Sequence, residues 1–402
     1  MANFVQIYKS TDANAPVLTG QVSKLVDLLD AVLVNGYTTA AVSSVTRSGS
    51  TVTVTLSASN STMNTGDYFK LSGAVETDYN GVWQITVVSS TVFTFNIGGL
   101  TPTSPATGTI LYRKAPLNWT KPYTGTNAAV FRSQNSGSPR HYLQVIDNGA
   151  TAGGAKEAQA YAYETMTANN TGTGRFPTAL QMADGLCWFK SDTTDATARE
   201  WCIIGDDKTF YLQIKSNASL VSSNVYGFGW FPSYKAGDAY NTFMAGGTTF
   251  NTATPSYTGL NQSSYWVAPG GTASGGFGLY VARAYSQAGG SAELTPVSSF
   301  GGQGYARVWG QGAGGSGTSY PEPVSSGAVV QSTFLLDSSI SGPPIRGRLP
   351  GFFPPFHLGT SFSNYDELSN ISGLTGAVVV ALNASSNYTA GLIGIDRVGP
   401  WT

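Results

Sequence analysis

The six residues Thr51-Val52-Thr53-Val54-Thr55-Leu56 alternate polar and apolar without a break. Only an extended strand, with one buried face and one wet face, puts all three apolar side chains on the same side. More strands follow closely. The turn residues Asp78-Tyr79-Asn80-Gly81 feed Val82-Trp83-Gln84-Ile85-Thr86-Val87-Val88, and Ser89-Ser90 then turns into Thr91-Val92-Phe93-Thr94-Phe95. Thr107-Gly108-Thr109-Ile110-Leu111-Tyr112 closes the group. Five or six strands in about 75 residues predict a small barrel or sandwich. We place this unit at 38–113, an insert between an N-terminal strand and helix (1–37) and a main β-rich body (114–402).

The N-terminal helix is the one clear departure from strand patterning. Between Thr19 and Asn35, Val22, Leu25, Val26, Leu29, Val32 and Leu33 recur at spacings of three and four. Lys24, Asp27 and Asp30 fall on the other side, Leu28 and Val34 widen the stripe, and Asn35-Gly36 is a stop signal. Two partners fit such a stripe: a sheet of the same chain, or copies of the helix in an oligomer. Val22, Leu25 and Leu29 are therefore candidate subunit contacts.

The remainder continues in β style. Gly205-Asp206-Asp207-Lys208 reads as a hairpin turn between Trp201-Cys202-Ile203-Ile204 and Thr209-Phe210-Tyr211-Leu212-Gln213-Ile214. Ala155 to Thr167 is ambiguous between helix and strand. Gly246 to Gly275 reads as a long excursion and Gly301 to Gly317 as a Gly-rich loop. No repeat of fixed period is present. The fold class expected is mainly β: a sandwich- or barrel-like body with one N-terminal amphipathic helix and an inserted small β domain.

Composition narrows the function classes. Charged residues are 11% of 402, less than half the usual ~25%, and the net charge is −1. Such a chain builds no basic field, so direct nucleic-acid binding is not expected. There is no apolar run of 18 residues for a membrane span, and the opening Met1-Ala2-Asn3-Phe4 gives no expectation of a Sec-type signal. Cys187 and Cys202 are too few to staple the chain, and unpaired buried thiols are expected.

The motifs that reactive sites need are not met in context, and we expect no catalytic residue, metal or cofactor. The two histidines, His141 and His357, have no adjacent ligand or nucleophile elbow. Gly312-Ala313-Gly314-Gly315-Ser316-Gly317 matches a dinucleotide fingerprint by letter, but Pro321 and Pro323 follow where a helix is required. Asp206-Asp207 is a turn signal, and Asp366-Glu367 sits in a loop-like stretch. Carboxylates distant in sequence leave a glycan-depolymerase alternative open. Tyr79 and Trp83 are candidate exposed aromatics for a sugar. The densest unusual stretch runs from Arg346 to His357. Its Arg346, Arg348, Phe352, Phe353 and Phe356 either pack within the chain or form a subunit contact.

Several segments resemble a family of tailed-bacteriophage virion structural proteins. They are the opening Val5-Gln6-Ile7-Tyr8-Lys9-Ser10-Thr11-Asp12-Ala13-Asn14-Ala15-Pro16-Val17-Leu18-Thr19-Gly20, the helix end Leu33-Val34-Asn35-Gly36-Tyr37, and Asn118 to Asn127. Tyr163-Glu164-Thr165-Met166, Phe176-Pro177-Thr178, Ser233 to Asn241 and Arg346 to Gly351 complete the run. In simpler relatives the helix end leads directly to the Trp119-Thr120-Lys121-Pro122-like segment. The insert, with its Thr65-Gly66-Asp67 turn, is similar to small β domains spliced into phage tail proteins. The resemblance implies a non-enzymatic structural component of a virion, assembled in the host cytoplasm, most naturally tail-, collar- or baseplate-associated. A head decoration protein and a receptor- or glycan-binding tail protein are the alternatives. The implied partners are other phage virion proteins and copies of the chain, with a host-surface glycan as a further candidate.

Overall fold

The computed structural model describes residues 4–217, 223–250, 260, 277–297, 321, 326–330, 332–339, 342–353, 362–371, 374, 376–383 and 392–401. Elements are numbered in chain order. Strand β1 is Gln6–Lys9 and helix α1 is Lys24–Asp30. Then come β2 Tyr37–Ser48, β3 Thr51–Leu56, β4 Tyr68–Ala74, β5 Gly81–Ser89, β6 Val92–Asn96 and β7 Gly108–Lys114. The middle of the chain supplies β8 Trp119–Gly125, β9 Ala128–Ser133, β10 Tyr142–Ile146, β11 Glu157–Ala168, β12 Thr171–Phe176 and β13 Leu186–Phe189. These lead to β14 Glu200–Gly205, β15 Thr209–Lys215, β16 Asn224–Trp230, β17 Thr242–Gly247, β18 Phe277–Val281, β19 Ala292–Val297, β20 Phe334–Asp337 and β21 Ile345–Arg348. Finally, β22 Glu367–Leu368, β23 Val379–Asn383 and β24 Leu392–Asp396 form a small sheet. The fold is mainly β, as the patterning predicts.

The Thr/Val alternation of β3 closes a barrel in the order β2-β3-β6-β5-β4-β7. Val52, Val54, Phe69, Leu71, Ile85, Phe93 and Phe95 point inward and are buried together, while Thr51, Thr53 and Thr55 face out. Phe69 stacks on Phe93 with centroids 5.7 Å apart. Closure removes the sheet edges that an open sheet of this size would expose. Entry and exit meet, because Tyr37 and Lys114 are register partners. Tyr79 is not an exposed aromatic: a short 3-10 turn, Thr77–Tyr79, folds its ring fully into the barrel interior, and its hydroxyl donates to Thr103 O. Trp83 is half-buried, stacked on Phe95 at 4.7 Å with its indole N–H donated to Tyr79 O. Neither ring stands free as a sugar platform.

The body is one branched antiparallel sheet, β1-β14-β15-β16-β17-β13-β11-β10-β9-β8, extended from β17 through β18, β19, β20 and β21. Ala155 to Thr167, ambiguous by sequence, lies largely in the central strand β11, and Gly205 to Lys208 makes the expected hairpin between β14 and β15. Glu367 opens strand β22 where a loop was expected, while Asp366 stays outside it. Helix α1 and the turn that continues it, Ala31–Asn35, bury Leu25, Leu28, Leu29, Val32 and Leu33 in one cluster with Leu117 and with Trp119, Phe131 and Leu143 of the sheet. This settles the choice of partner for the stripe. Leu25 and Leu29 are 0% exposed within their own chain and are not subunit contacts; only Val22, at 38%, reaches the surface. Each fully buried leucine contributes about 1.5–3 kcal/mol.

The helix is shorter than its stripe. Leu18 is bridged to Arg199 and Ser23 adopts φ 69°, so helical geometry starts only at Lys24. Its last turn widens into a π-turn, Ala31–Asn35, ended by Gly36 at φ 73°. Both cysteines are buried and unpaired. No helix among the described residues is long and apolar enough to cross a membrane. Most of Gly246 to Gly275, all of Gly301 to Gly317, Phe356 and His357 lie outside the described residues.

Candidate functional site

Arg346 sits on β21 with its side chain wholly buried. Its Nε and Nη2 donate to Asp238 Oδ2 and Oδ1 at 3.0 and 3.1 Å. Nη1 donates to Arg283 O and lies 3.4 Å from Asp337 Oδ2. One cation thus faces two carboxylates, and backbone N–H and hydroxyl groups carry the rest of the load. Asp238 accepts from Tyr240 N at 3.0 Å and from Ser233 Oγ at 2.7 Å. Asp337 accepts from Tyr285 N at 2.5 Å and Ser339 N at 3.0 Å. Burial pushes the Asp238 carboxyl up, but the Arg346 fork and the hydroxyl and amide donors outweigh it and hold it below the usual carboxylate range.

The network continues outward. Arg283 forks onto Glu164 at 2.6 and 2.7 Å and lies over the Tyr240 ring at 4.1 Å. Tyr240 stacks on His141, which meets Phe176 edge-on at 5.7 Å. Burial drives the His141 pKa down to about 4; Glu164 opposes the shift, and Arg132 and Arg283 reinforce it. His141 is therefore neutral at pH 7, and its Nδ1 has no partner among the described residues.

Four segments singled out in the sequence, far apart along the chain, meet here: Glu164, Phe176, Ser233 with Asp238 and Tyr240, and Arg346. Their small residues have a reason too. A Cβ on Gly347 would stand 2.3 Å from Pro232 O, where β21 is pressed against the 232–234 segment. Gly351 needs its φ of 64°, and a Cβ there would strike the Trp401 indole. The carboxylates of Asp238, Asp337 and Glu164 all accept from guanidinium, hydroxyl, amide or backbone donors. The arrangement locks distant parts of the chain together.

The other residues singled out by sequence are placed as follows. Phe352 is buried against Tyr211 at 5.3 Å, so it and Arg346 are filled by their own chain and are not subunit contacts. Phe353 is half-buried and packs against the small C-terminal cluster that includes Leu368, Ile371 and Val379. Arg348 is half-buried and, with Phe353, Asp396 and Trp401, lines a cavity of about 420 Å³. Asp206 and Asp207 do diverge. Asp206 Oδ1 accepts from Lys208 N and Thr209 N, while Asp207 accepts from Asn135 Nδ2. No group of three His, Cys, Asp or Glu suited to a metal occurs among the described residues.

Two further locks have no local sequence signal. Asp147 and Lys190 form an ion pair at 2.5 Å with both side chains 0% exposed. Asp147 Oδ2 also accepts from Leu25 N at 2.9 Å, and so caps α1 from another strand's end. Burial pushes this carboxyl up and Lys190 pulls it back. At the barrel's root, Asp12 accepts from Lys114 Nζ at 2.7 Å and from the Tyr37 hydroxyl at 2.6 Å. No protein-family model matches this chain, and no curated protein matches it.

Proposed function

We propose that this chain is a non-enzymatic structural component of a tailed-phage particle, associated with the tail, collar or baseplate. The observation that carries the reading is the convergence of the family-like segments on the buried Arg346 network. Those segments meet at a lock between strands, where the Arg346 and Arg283 guanidiniums pair with Asp238 and Glu164. The barrel's root supports the same reading, because Asp12, Tyr37 and Lys114 tie the inserted lobe to the body through buried polar contacts. A low charge density suits close packing of many copies, since it limits self-repulsion. Its partners would be other virion proteins and further copies of itself. A head decoration protein is the second reading, and it makes the same demand for a rigid, closely packed subunit. Antibody-gold labelling of purified particles under the electron microscope tests the proposal. Label on the tail or its attachment region is expected; label over the whole head favours decoration, and unlabelled particles overturn both.

A further inference from the structure

The face of β9–β12 turned away from the core carries a row that no single segment reveals. Arg132 on β9 is the register partner of Tyr142 on β10, Tyr142 of Tyr163 on β11, and Tyr163 of Arg175 on β12. Neighbouring strands are spaced by about 4.8 Å, so the two arginines stand about 14 Å apart with two tyrosines between them. The alternate residues Phe131, Leu143, Ala162 and Phe176 fill the core beneath. Arg132 lies over the Tyr142 ring at 4.5 Å and Arg175 over the Tyr161 ring at 4.6 Å. Tyr123 on β8 stacks beside Tyr142. Arg132, Tyr163 and Arg175 are half-buried and so still reach solvent.

These cations are held but not neutralised. Arg132 Nε donates to Arg140 O at 2.7 Å, Arg140 Nε to Ser133 O at 3.2 Å, and Arg175 Nη2 to Ala183 O at 2.8 Å. Among the described residues, no carboxylate comes within 4.0 Å of any of the three guanidiniums. Asp184 acts on Tyr161 without reaching ion-pair distance of Arg175. In a chain with so few charges, Arg132 and Arg175, pinned by carbonyls on either side of Tyr142 and Tyr163, with Arg140 held beside Arg132, form a site with a defined sign; Tyr142 is buried at 9% exposure under Arg132, and Tyr163 is the ring of the row that reaches solvent.

We propose that this face binds a polysaccharide bearing carboxylate groups. Guanidinium forks match carboxylates in geometry as well as charge. Tyrosines supply flat surfaces and hydroxyls suited to sugar rings. A protein partner is the poorer fit. Tyrosine and arginine also serve protein interfaces, but the centre of such an interface is more apolar than its rim, and here the apolar side chains Val130 and Met166 are already sealed at 0% and 4% exposure. The inference concerns binding alone and does not rest on the chain's place in a particle.

The test is biolayer interferometry of the whole chain on four surfaces: polysialic acid, alginate, neutral dextran and polyglutamate. The expected result is binding to at least one of the two acidic polysaccharides, weakened by added salt, with little on dextran or polyglutamate. The double variant Arg132→Gln/Arg175→Gln should lose about tenfold or more in affinity. Thr173→Glu, at an exposed position on the same face of β12 as Arg175, should lose affinity with an unchanged melting temperature. The proposal is overturned by no binding to either acidic polysaccharide, by equal binding to dextran, by equal or tighter binding to polyglutamate, or by a folded Thr173→Glu variant that binds like wild type.

Discussion

Arg346 and Asp238, 108 residues apart in the chain, form a two-pronged ion pair with side chains 0% and 1% exposed. Such a pair adds little over a well-packed apolar replacement, but breaking one half strands a buried charge. Here two charges would be stranded, because Asp337 shares the same guanidinium.

Arg346→Met should therefore lower unfolding free energy by about 3–5 kcal/mol. Arg346→Lys keeps the charge but loses the fork, and should fall in between. Chemical denaturation monitored by tryptophan fluorescence reads both. A loss below about 1 kcal/mol for Arg346→Met would show that the network is not a lock.

His141 makes stability fall in acid. Its folded pKa is depressed to about 4, whereas an unfolded histidine titrates near 6.5. The unfolded chain takes up the proton first, so this contribution is present above about pH 6.5 and is lost as pH falls through 4, up to about 3 kcal/mol. His141→Phe keeps a ring between Tyr240 and Phe176 and does not titrate. The variant should gain on wild type as pH drops across that window; a constant difference would rule the linkage out.

Asp206 works with the opposite sign. Burial raises its carboxyl to about 7, against two backbone hydrogen bonds and Lys208 that favour the charge. The unfolded carboxyl ionises near 3.9, so stability is lost as pH rises from there through 7, up to about 4 kcal/mol. Asp206→Asn retains an acceptor for Lys208 N and Thr209 N, and should gain on wild type with rising pH. Denaturation curves at pH 4.5 and pH 8 with the same Asn–Asp difference would refute this.

The barrel should be removable. Tyr37 and Lys114 are register partners, so joining them through a short glycine linker bridges almost no distance. The deletion forfeits the Gln6–Tyr68 and Ala13–Thr62 hydrogen bonds and should lower the melting temperature without abolishing cooperative unfolding. Insoluble product, or a broad melt, would mean that the body needs the lobe to fold.

What the chain reveals in advance follows the range of the interaction. The β3 alternation and the Asp206-Asp207 turn act over a few residues, and both are where their local chemistry puts them. The helix stripe was visible, yet its start was not, because the cap comes from Asp147, 122 residues away from Leu25. Tyr79 looked like a turn residue free to reach out; the 3-10 turn instead drives its ring inward. The Arg346 stretch stood out by composition, but its partners come from β20 and from loops across the sheet. The row from Arg132 to Arg175 was invisible, since only strand register assembles it.

The most direct test of the structural role is the copy number of this chain in purified particles, by quantitative mass spectrometry against the major capsid and portal proteins. A small fixed multiple that matches the portal or tail symmetry is expected. A number comparable to the capsid protein would move the chain to the head, and its absence from particles would contradict the structural role altogether.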